Sequence, residues 1–473
     1  MLKPTIGCEV HCELKTETKL FCGCKNEFGG DANTHCCPVC SGFPGTLPAH
    51  NRKAVEFAVK AGLALHCKIS EFSKWDRKNY FYPDLPKAWQ TSQYDLPLCI
   101  GGYVEFELDG EKKRVRLNRI HLEEDAGKLV HDGGISRVDY NRCGVPLIEI
   151  VTEPDMHSAE EVVAFLTELK SVLKYTGVSD VKMQEGSLRC DVNLSVSESE
   201  NGEKLGTRTE TKNLNSFRSV ARSIAFETRR QIDLLESGGV VEQETRRFDD
   251  NKGIGYAMRS KEDAHDYRYF PEPDLLPVVM SAADIKRIAD TIPELKDARI
   301  ARYTEKLGLP DYDARVLTED KDVSDLFDGV VKLGADAKKA SNFIMSEVLR
   351  LAKSQSSEDV ELKVSAEQLA EILKMSAADE LNNLAAKQLL SFVWGTNVAP
   401  RAIAAEKGLL QSNDEGEIKA VFDRVVADNP KQTADFIAGN DKLRGYFVGQ
   451  IMRASGGKAN PKIINSLLDK LKN

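Results

Sequence analysis

The side chains best suited to metal ligation and proton transfer occupy only the front of this chain. All 11 cysteines lie at or before Cys190 and all eight histidines at or before His265, in a sequence of 473 residues. The chain must therefore fold into parts with different jobs: a chemical part in front, and a part behind that packs, binds or braces. At roughly 150 residues per domain the length accommodates about three domains. An odd number of cysteines thinly spread through a long chain argues against a secreted disulfide framework and for reduced thiols or metal ligands. No stretch approaches the roughly 18 consecutive apolar residues of a membrane span, and Glu9, His11 and Glu13 break the opening apolar run before a secretory core could form. The expectation is a cytoplasmic protein with no membrane partner. A net charge of −9 provides no global basic field, so any nucleic acid must be met by a local patch.

The pattern along the chain predicts an α+β fold, a large mixed α/β domain followed by two all-helical domains. Residues 1–290 alternate short β-prone runs, such as GYVEFELDG and KRVRLNRIHLE, with amphipathic helices. In SAEEVVAFLTELKSVLKYTG, Ser158 caps, Glu160 and Glu161 occupy the first turn, Val162, Phe165, Leu166, Leu169 and Leu173 share a face, and Gly177 stops the helix. A second helix, NSFRSVARSIAFETRRQIDLLESGG, ends in a glycine pair. Near Thr291-Ile292-Pro293 the cysteines and histidines are gone and Ala, Leu, Glu and Lys at helical spacing take over, giving a helical domain over 291–405. The interruption EKGLLQSNDEGE opens a small helical tail, 406–473. From Lys442 to Asn473 it carries seven Lys or Arg against one Asp, which reads either as a solvated helix face or as a contact for RNA phosphates.

Four groups of residues could carry chemistry. Cys22-x-Cys24 and Cys37-x-x-Cys40, separated by 12 residues, match the two close thiolate pairs that tetrahedral zinc requires. Cys36 and His35 offer competing ligands. Such a site would use four protein ligands and leave no open position, so it would be a staple. Second, strand-like alternation points Glu9, His11 and Glu13 to one face. Third, Glu123, Glu124 and Asp125 follow in RIHLEEDAGKL, and Glu149 interrupts an otherwise apolar strand in GVPLIEIVTEPD, where a carboxylate must be paired, protonated or metal-bound. Oxygen ligands favour Mg²⁺, and His11 leaves Mn²⁺ open. Fourth, EGSLRCDVN and TRTETKNLNSF concentrate Arg189, Asp191, Asn193, Arg208, Glu210, Lys212, Asn213 and Asn215 in extended runs. There the cations could neutralise phosphate and the amides orient a ligand, unless they merely decorate a surface strand. No GxxxxGK[ST], GxGxxG or GxSxG motif occurs, so P-loop, Rossmann and nucleophile-elbow readings have no support.

Taken in order, IGCEVHCELKT, DRKNYFYPDLPK, HLEEDAGKLVHD, DYNRCGVPLIEIVTEPD, EGSLRCDVN, KNLNSF, QETRRFD, SKEDAHDYRYFPEPDLLP and GYFVGQIMRASGGKANPKIINSLL resemble the B subunits of tRNA-dependent amidotransferases. The resemblance implies a ligase that converts Glu-tRNA(Gln) or Asp-tRNA(Asn) to the amide, with the large mixed α/β domain as its catalytic cradle. ATP with Mg²⁺ would phosphorylate the side-chain carboxylate. Ammonia would reach it through a channel from the amidase (glutaminase) partner, the A subunit, with a small C subunit clasping the pair. It further implies that Glu9, His11, Glu124 and Glu149 hold the divalent ion. Lys78, Arg189, Lys212, Asn213 and Asn215 are candidates for phosphate or substrate contacts, Cys22, Cys24, Cys37 and Cys40 for structural zinc, and the tail for tRNA. Cys8 and Cys12 stand where the family commonly has Leu and Val, which adds thiols beside Glu9 and His11. The alternative is a non-catalytic tRNA-binding scaffold.

Overall fold

The computed structural model describes residues 2–198, 205–214, 216–260, 266–353, 360–412 and 414–472. It divides into two compact units, residues 1–295 and 296–473.

The first unit is built on a ten-stranded sheet. Its strands run in the order Ile254–Ser260, Glu244–Asp249, Thr209–Leu214, Leu188–Ser197, Lys3–Glu13, Pro146–Thr152, Glu111–Glu124, Cys99–Ile100 and Lys68–Ile69, with Tyr103–Leu108 also paired to Glu111–Glu124. The pairings are antiparallel except that between Thr209–Leu214 and Glu244–Asp249, which is parallel and joined through the helix Phe217–Glu236. Parallel neighbours need such a crossover because a tight turn cannot reverse the chain twice.

Side-chain alternation gives this sheet two unlike faces. Along the four central strands Ile6, Cys8, Val10, Cys12, Ile120, Leu122, Ile148, Ile150, Leu188, Cys190, Val192 and Leu194 are buried in one apolar core. Helices Arg52–Ala64, Ala159–Thr176 and Phe217–Glu236 contribute Ala54, Val55, Ala58, Val162, Phe165, Leu169, Val220 and Ile224 to it. Cys8 and Cys12 are thus core side chains, pointing away from Glu9 and His11. The odd-numbered positions, Glu9, His11, His121, Glu123, Glu149, Arg189, Asp191 and Asn193, take the opposite face.

The helix Ala159–Thr176 begins and ends where its sequence signals lie. Ser158 accepts a hydrogen bond from the Glu161 amide at 3.1 Å, and Gly177 adopts φ 73°, a left-handed turn that a Cβ would disfavour. The helix Phe217–Glu236 is tied to the sheet by Glu227, which is buried and accepts from Thr209, Arg230 and Gln231.

Among the described residues of the second unit, the regular elements between Lys296 and Lys472 are helices. It holds two separate apolar cores, one from Tyr303 to Ala404 centred on Phe327, Ile344 and Leu389, and one from Ile418 to Leu468 centred on Phe436, Phe447 and Ile464. The change of core falls near residue 406, where the sequence predicts a boundary, but both cores belong to one compact unit. Several tail cations are engaged: Arg444 by Asp469, Lys472 by Asp441 and Lys462 by Asp379. Among the described residues no helix is long and apolar enough to cross a membrane.

Candidate active site

Strand register assembles the site. His11 lies opposite Arg189 on one side and Glu149 on the other, and Glu149 lies opposite His121, so four ionisable residues form one row across four strands. Flanking this row, Glu9 is opposite Asp191 and Glu123 opposite Leu147. Ligand atoms of His11, Glu123 and Glu149 all lie within 4.8 Å of one another. The Oε2 of Glu149 is 3.5 Å from Nε2 of His11 and 3.4 Å from Nε2 of His121. Glu123 is held by Ser92, whose hydroxyl donates at 2.9 Å, by the Gln90 amide, and by Lys78, whose Nζ is 3.8 Å away. Gln90, Ser92 and Lys78 arrive on the antiparallel pair Asp76–Asn79 and Trp89–Ser92.

Part of this cluster opens on a cavity of about 650 Å³ whose wall includes His11, Lys78, Tyr80, Glu123, Asp125, Arg189, Asp191 and Lys212. That is the size of a small-molecule site. Asp125 pairs with Arg189, and Lys212 donates to Asp191 and reaches Glu210, each at 2.8 Å. Burial pushes the Glu149 carboxyl up, but the two histidines more than reverse this and hold it well below the usual carboxylate range. Burial likewise disfavours His121 in its charged form, yet Glu149 and Glu123 raise it to about 9. Burial would discharge Lys78, and Glu123 and Glu149 keep it charged. Glu9 behaves differently. Burial and repulsion from Glu149 and Glu210 raise its carboxyl, against the opposing pull of Lys212 and a 3.0 Å hydrogen bond from Asn193. Its protein surroundings thus disfavour the ionised form of Glu9, and a divalent cation beside Glu149 would favour it. The carboxylate oxygens suit Mg²⁺, and the His11 nitrogen leaves Mn²⁺ open.

The structure does not place Glu124 in this cluster. Period-two alternation puts Glu123 and Glu124 on opposite faces, and Glu124 pairs instead with Lys87 and accepts from the Thr91 amide at 2.8 Å. Sequence reasoning named Glu123 beside Glu124 without making it a ligand, and it missed His121. The signal for them was the buried Ile120 and Leu122, whose alternation extends the strand through RIHLEE and turns His121 and Glu123 to the Glu149 side. Lys78, Arg189 and Lys212 are brought to the cavity. Asn215 and the Asn213 side chain lie outside the described residues.

The four cysteines also converge. Sγ atoms of Cys22, Cys24, Cys37 and Cys40 lie within 4.8 Å of one another, and all 11 cysteines are free thiols. Cys36 instead contacts the Asn33 carbonyl. A hydrogen bond from Cys22 is the main cause that lowers Cys40 to about 5, with help from Lys19, fully buried with Nζ 3.7 Å from Cys40 Sγ. Four convergent thiols with no disulfide and one poised as thiolate fit a zinc ion.

The profile of the GatB/GatE catalytic domain matches residues 4–286, and that of the GatB domain matches residues 325–471. The chain belongs to the GatB family. It is 54 % identical over 468 residues to the B subunit of the aspartyl/glutamyl-tRNA(Asn/Gln) amidotransferase of Caldicellulosiruptor bescii, covering 98 % of this chain and 97 % of that one. It is 52 % identical to the protein of the same name from Lachnoclostridium phytofermentans, covering 98 % of each. GatB membership makes the chain one component of a multi-subunit tRNA-dependent amidotransferase, a ligase-type enzyme of translation.

Proposed function

We propose that this chain carries the transamidation site of its complex: with ATP it activates the side-chain carboxylate of Glu-tRNA(Gln), Asp-tRNA(Asn) or both, and presents it to ammonia. The observation that carries this reading is the convergence of His11, Glu123 and Glu149 beside a cavity that also exposes Lys78, Arg189 and Lys212. A carboxylate is a poor electrophile, and phosphorylation converts its oxide leaving group to phosphate. The protein must hold two anions, the aminoacyl carboxylate and the γ-phosphate, against their repulsion. Lys78, Arg189 and Lys212 supply positive charge on the cavity wall for that purpose.

His11, Glu123 and Glu149, with Glu9 alongside, are the side chains we assign to Mg²⁺, with Mn²⁺ as the alternative. Bound there, the ion would supply charge neutralisation of phosphate oxygens. Gln90 and Ser92 fix the Glu123 carboxylate, and Asp125 steadies the Arg189 guanidinium at the cavity. Ammonia from the amidase partner must arrive unprotonated and shielded from water, with the small third component completing the assembly. The four cysteines hold structural zinc, the tail residues 406–473 contact tRNA phosphates, and the complex works in the cytoplasm.

The competing reading, a non-catalytic tRNA scaffold, has no use for buried carboxylates and histidines gathered around one cavity. The test is ATP-dependent amide formation on both misacylated tRNAs by the complex co-purified with its partners. Glu149→Gln should abolish it while leaving glutamine hydrolysis by the partner detectable. Unimpaired transamidation by this variant would overturn the proposal.

A further inference from the structure

We infer that His121 is a positioning residue that sets the separation of the Glu123 and Glu149 carboxylates before a cation arrives. The inference rests on reading His11, Glu123 and Glu149 as one cation site. His121 is 3 % exposed and lies on the strand Glu111–Glu124. Its Nε2 lies 3.5 Å from Oε2 of Glu123 and 3.4 Å from Oε2 of Glu149, so one ring edge faces two carboxylate oxygens drawn from adjacent strands. Ionised carboxylate oxygens only accept, so a favourable contact with either one requires a hydrogen on Nε2. His11 Nε2 meets Glu149 Oε2 in the same way at 3.5 Å, so what separates the two rings is access: His121 is buried, and the cavity wall includes His11 and not His121. The other ring nitrogen of His121, Nδ1, is buried without a hydrogen-bond partner among the described residues, so the ion-pair contacts to the two carboxylates are what anchor this ring.

His11 differs. It lines the cavity and approaches Glu149 from the opposite strand. The two histidines thus bracket Glu149, one as a candidate ligand and one as a brace. Without a donor at the His121 Nε2 position, Glu123 and Glu149 would repel each other across a buried gap. The cation would then have to gather them, at a cost to its affinity. Partners that orient ligands in this way typically change metal affinity 10- to 100-fold when removed.

Two substitutions separate the brace from mere space-filling. In His121→Gln the amide nitrogen reaches the place of Nε2, whereas in His121→Asn it falls short. Mn²⁺ binding to the full chain, its cysteine cluster loaded with zinc and the excess zinc removed, is followed by electron paramagnetic resonance, and the complex is assayed for transamidation against metal concentration. His121→Gln should bind Mn²⁺ within about threefold of wild type, and His121→Asn roughly 10- to 100-fold more weakly. The metal concentration for half-maximal activity should shift by the same factor in His121→Asn. KM for the aminoacyl-tRNA should not move, and saturating metal should restore kcat. Wild-type affinity in His121→Asn, or equal losses in both variants, would overturn the assignment. A wild-type chain that binds no Mn²⁺ would instead overturn the underlying reading of the cation site.

Discussion

Replacing Glu124 with glutamine should cost stability and spare metal binding, whereas the same change at Glu123 should do the reverse. The Glu124 side chain is 4 % exposed and its charge is matched by Lys87, itself 11 % exposed. Removing one partner of a buried ion pair costs about 3 kcal/mol at the lower end of measured cases, and the glutamine oxygen can still accept from Thr91. The unit that contains it has 295 residues, and at about 2.1 cal/mol/K per residue its unfolding entropy is about 0.6 kcal/mol/K. The midpoint of that unit should therefore fall by about 5 °C. In Glu123→Gln, removing one of several mutually repelling carboxylates offsets the weaker pairing with Lys78 and His121, so Tm should move less. Its Mn²⁺ affinity, however, should fall by at least about 100-fold. Differential scanning calorimetry and Mn²⁺ titration on the same samples read both quantities. Loss of Mn²⁺ binding in Glu124→Gln with retention in Glu123→Gln would refute the strand-face argument.

Purified under reducing, chelator-free conditions, the chain should carry one zinc, and Cys40→Ser should lose it together with several degrees of Tm; elemental analysis showing no zinc in the wild type would contradict this. Burial raises the Glu227 carboxyl, but Arg230, Gln231 and Thr209 pull it below its ordinary value, so its contribution to stability is present above about pH 4.5 and disappears as pH falls through the depressed value. Denaturant titrations should accordingly show Glu227→Gln clearly weaker than wild type at pH 7 and converging with it in acid; an equal gap at both pH values would contradict the linkage. Exchanging Arg453 and Lys458 for glutamate should weaken tRNA binding and reduce the slope of log affinity against log salt by about one for each phosphate no longer neutralised; an unchanged slope would remove the tail from the interface.

The framework of the site is legible in the sequence where one physical rule governs one segment. Alternation places Glu9 and His11 on a common face, and an isolated Glu149 in an apolar strand announces a buried charge. The paired thiols stand out because their spacing alone meets a geometric demand. The choice between Glu123 and Glu124 depends on where a strand ends: only pairing of Pro146 with Glu124 carries the alternation far enough to separate them. Gln90, Ser92 and Lys87 reach the two glutamates from a hairpin more than 30 positions away, and no local pattern encodes that meeting. His121 is hidden for a similar reason, since its importance lies in facing Glu149 across a strand register.

A cation held by His11, Glu123 and Glu149 is the claim on which the proposed chemistry depends. Crystals of the complex equilibrated with MnCl₂ and measured at the manganese absorption edge would locate the ion directly. An anomalous peak is expected within ligand distance of those three side chains, on the cavity side of the sheet. A peak beside Glu124 and Lys87, with none near Glu149, would contradict it.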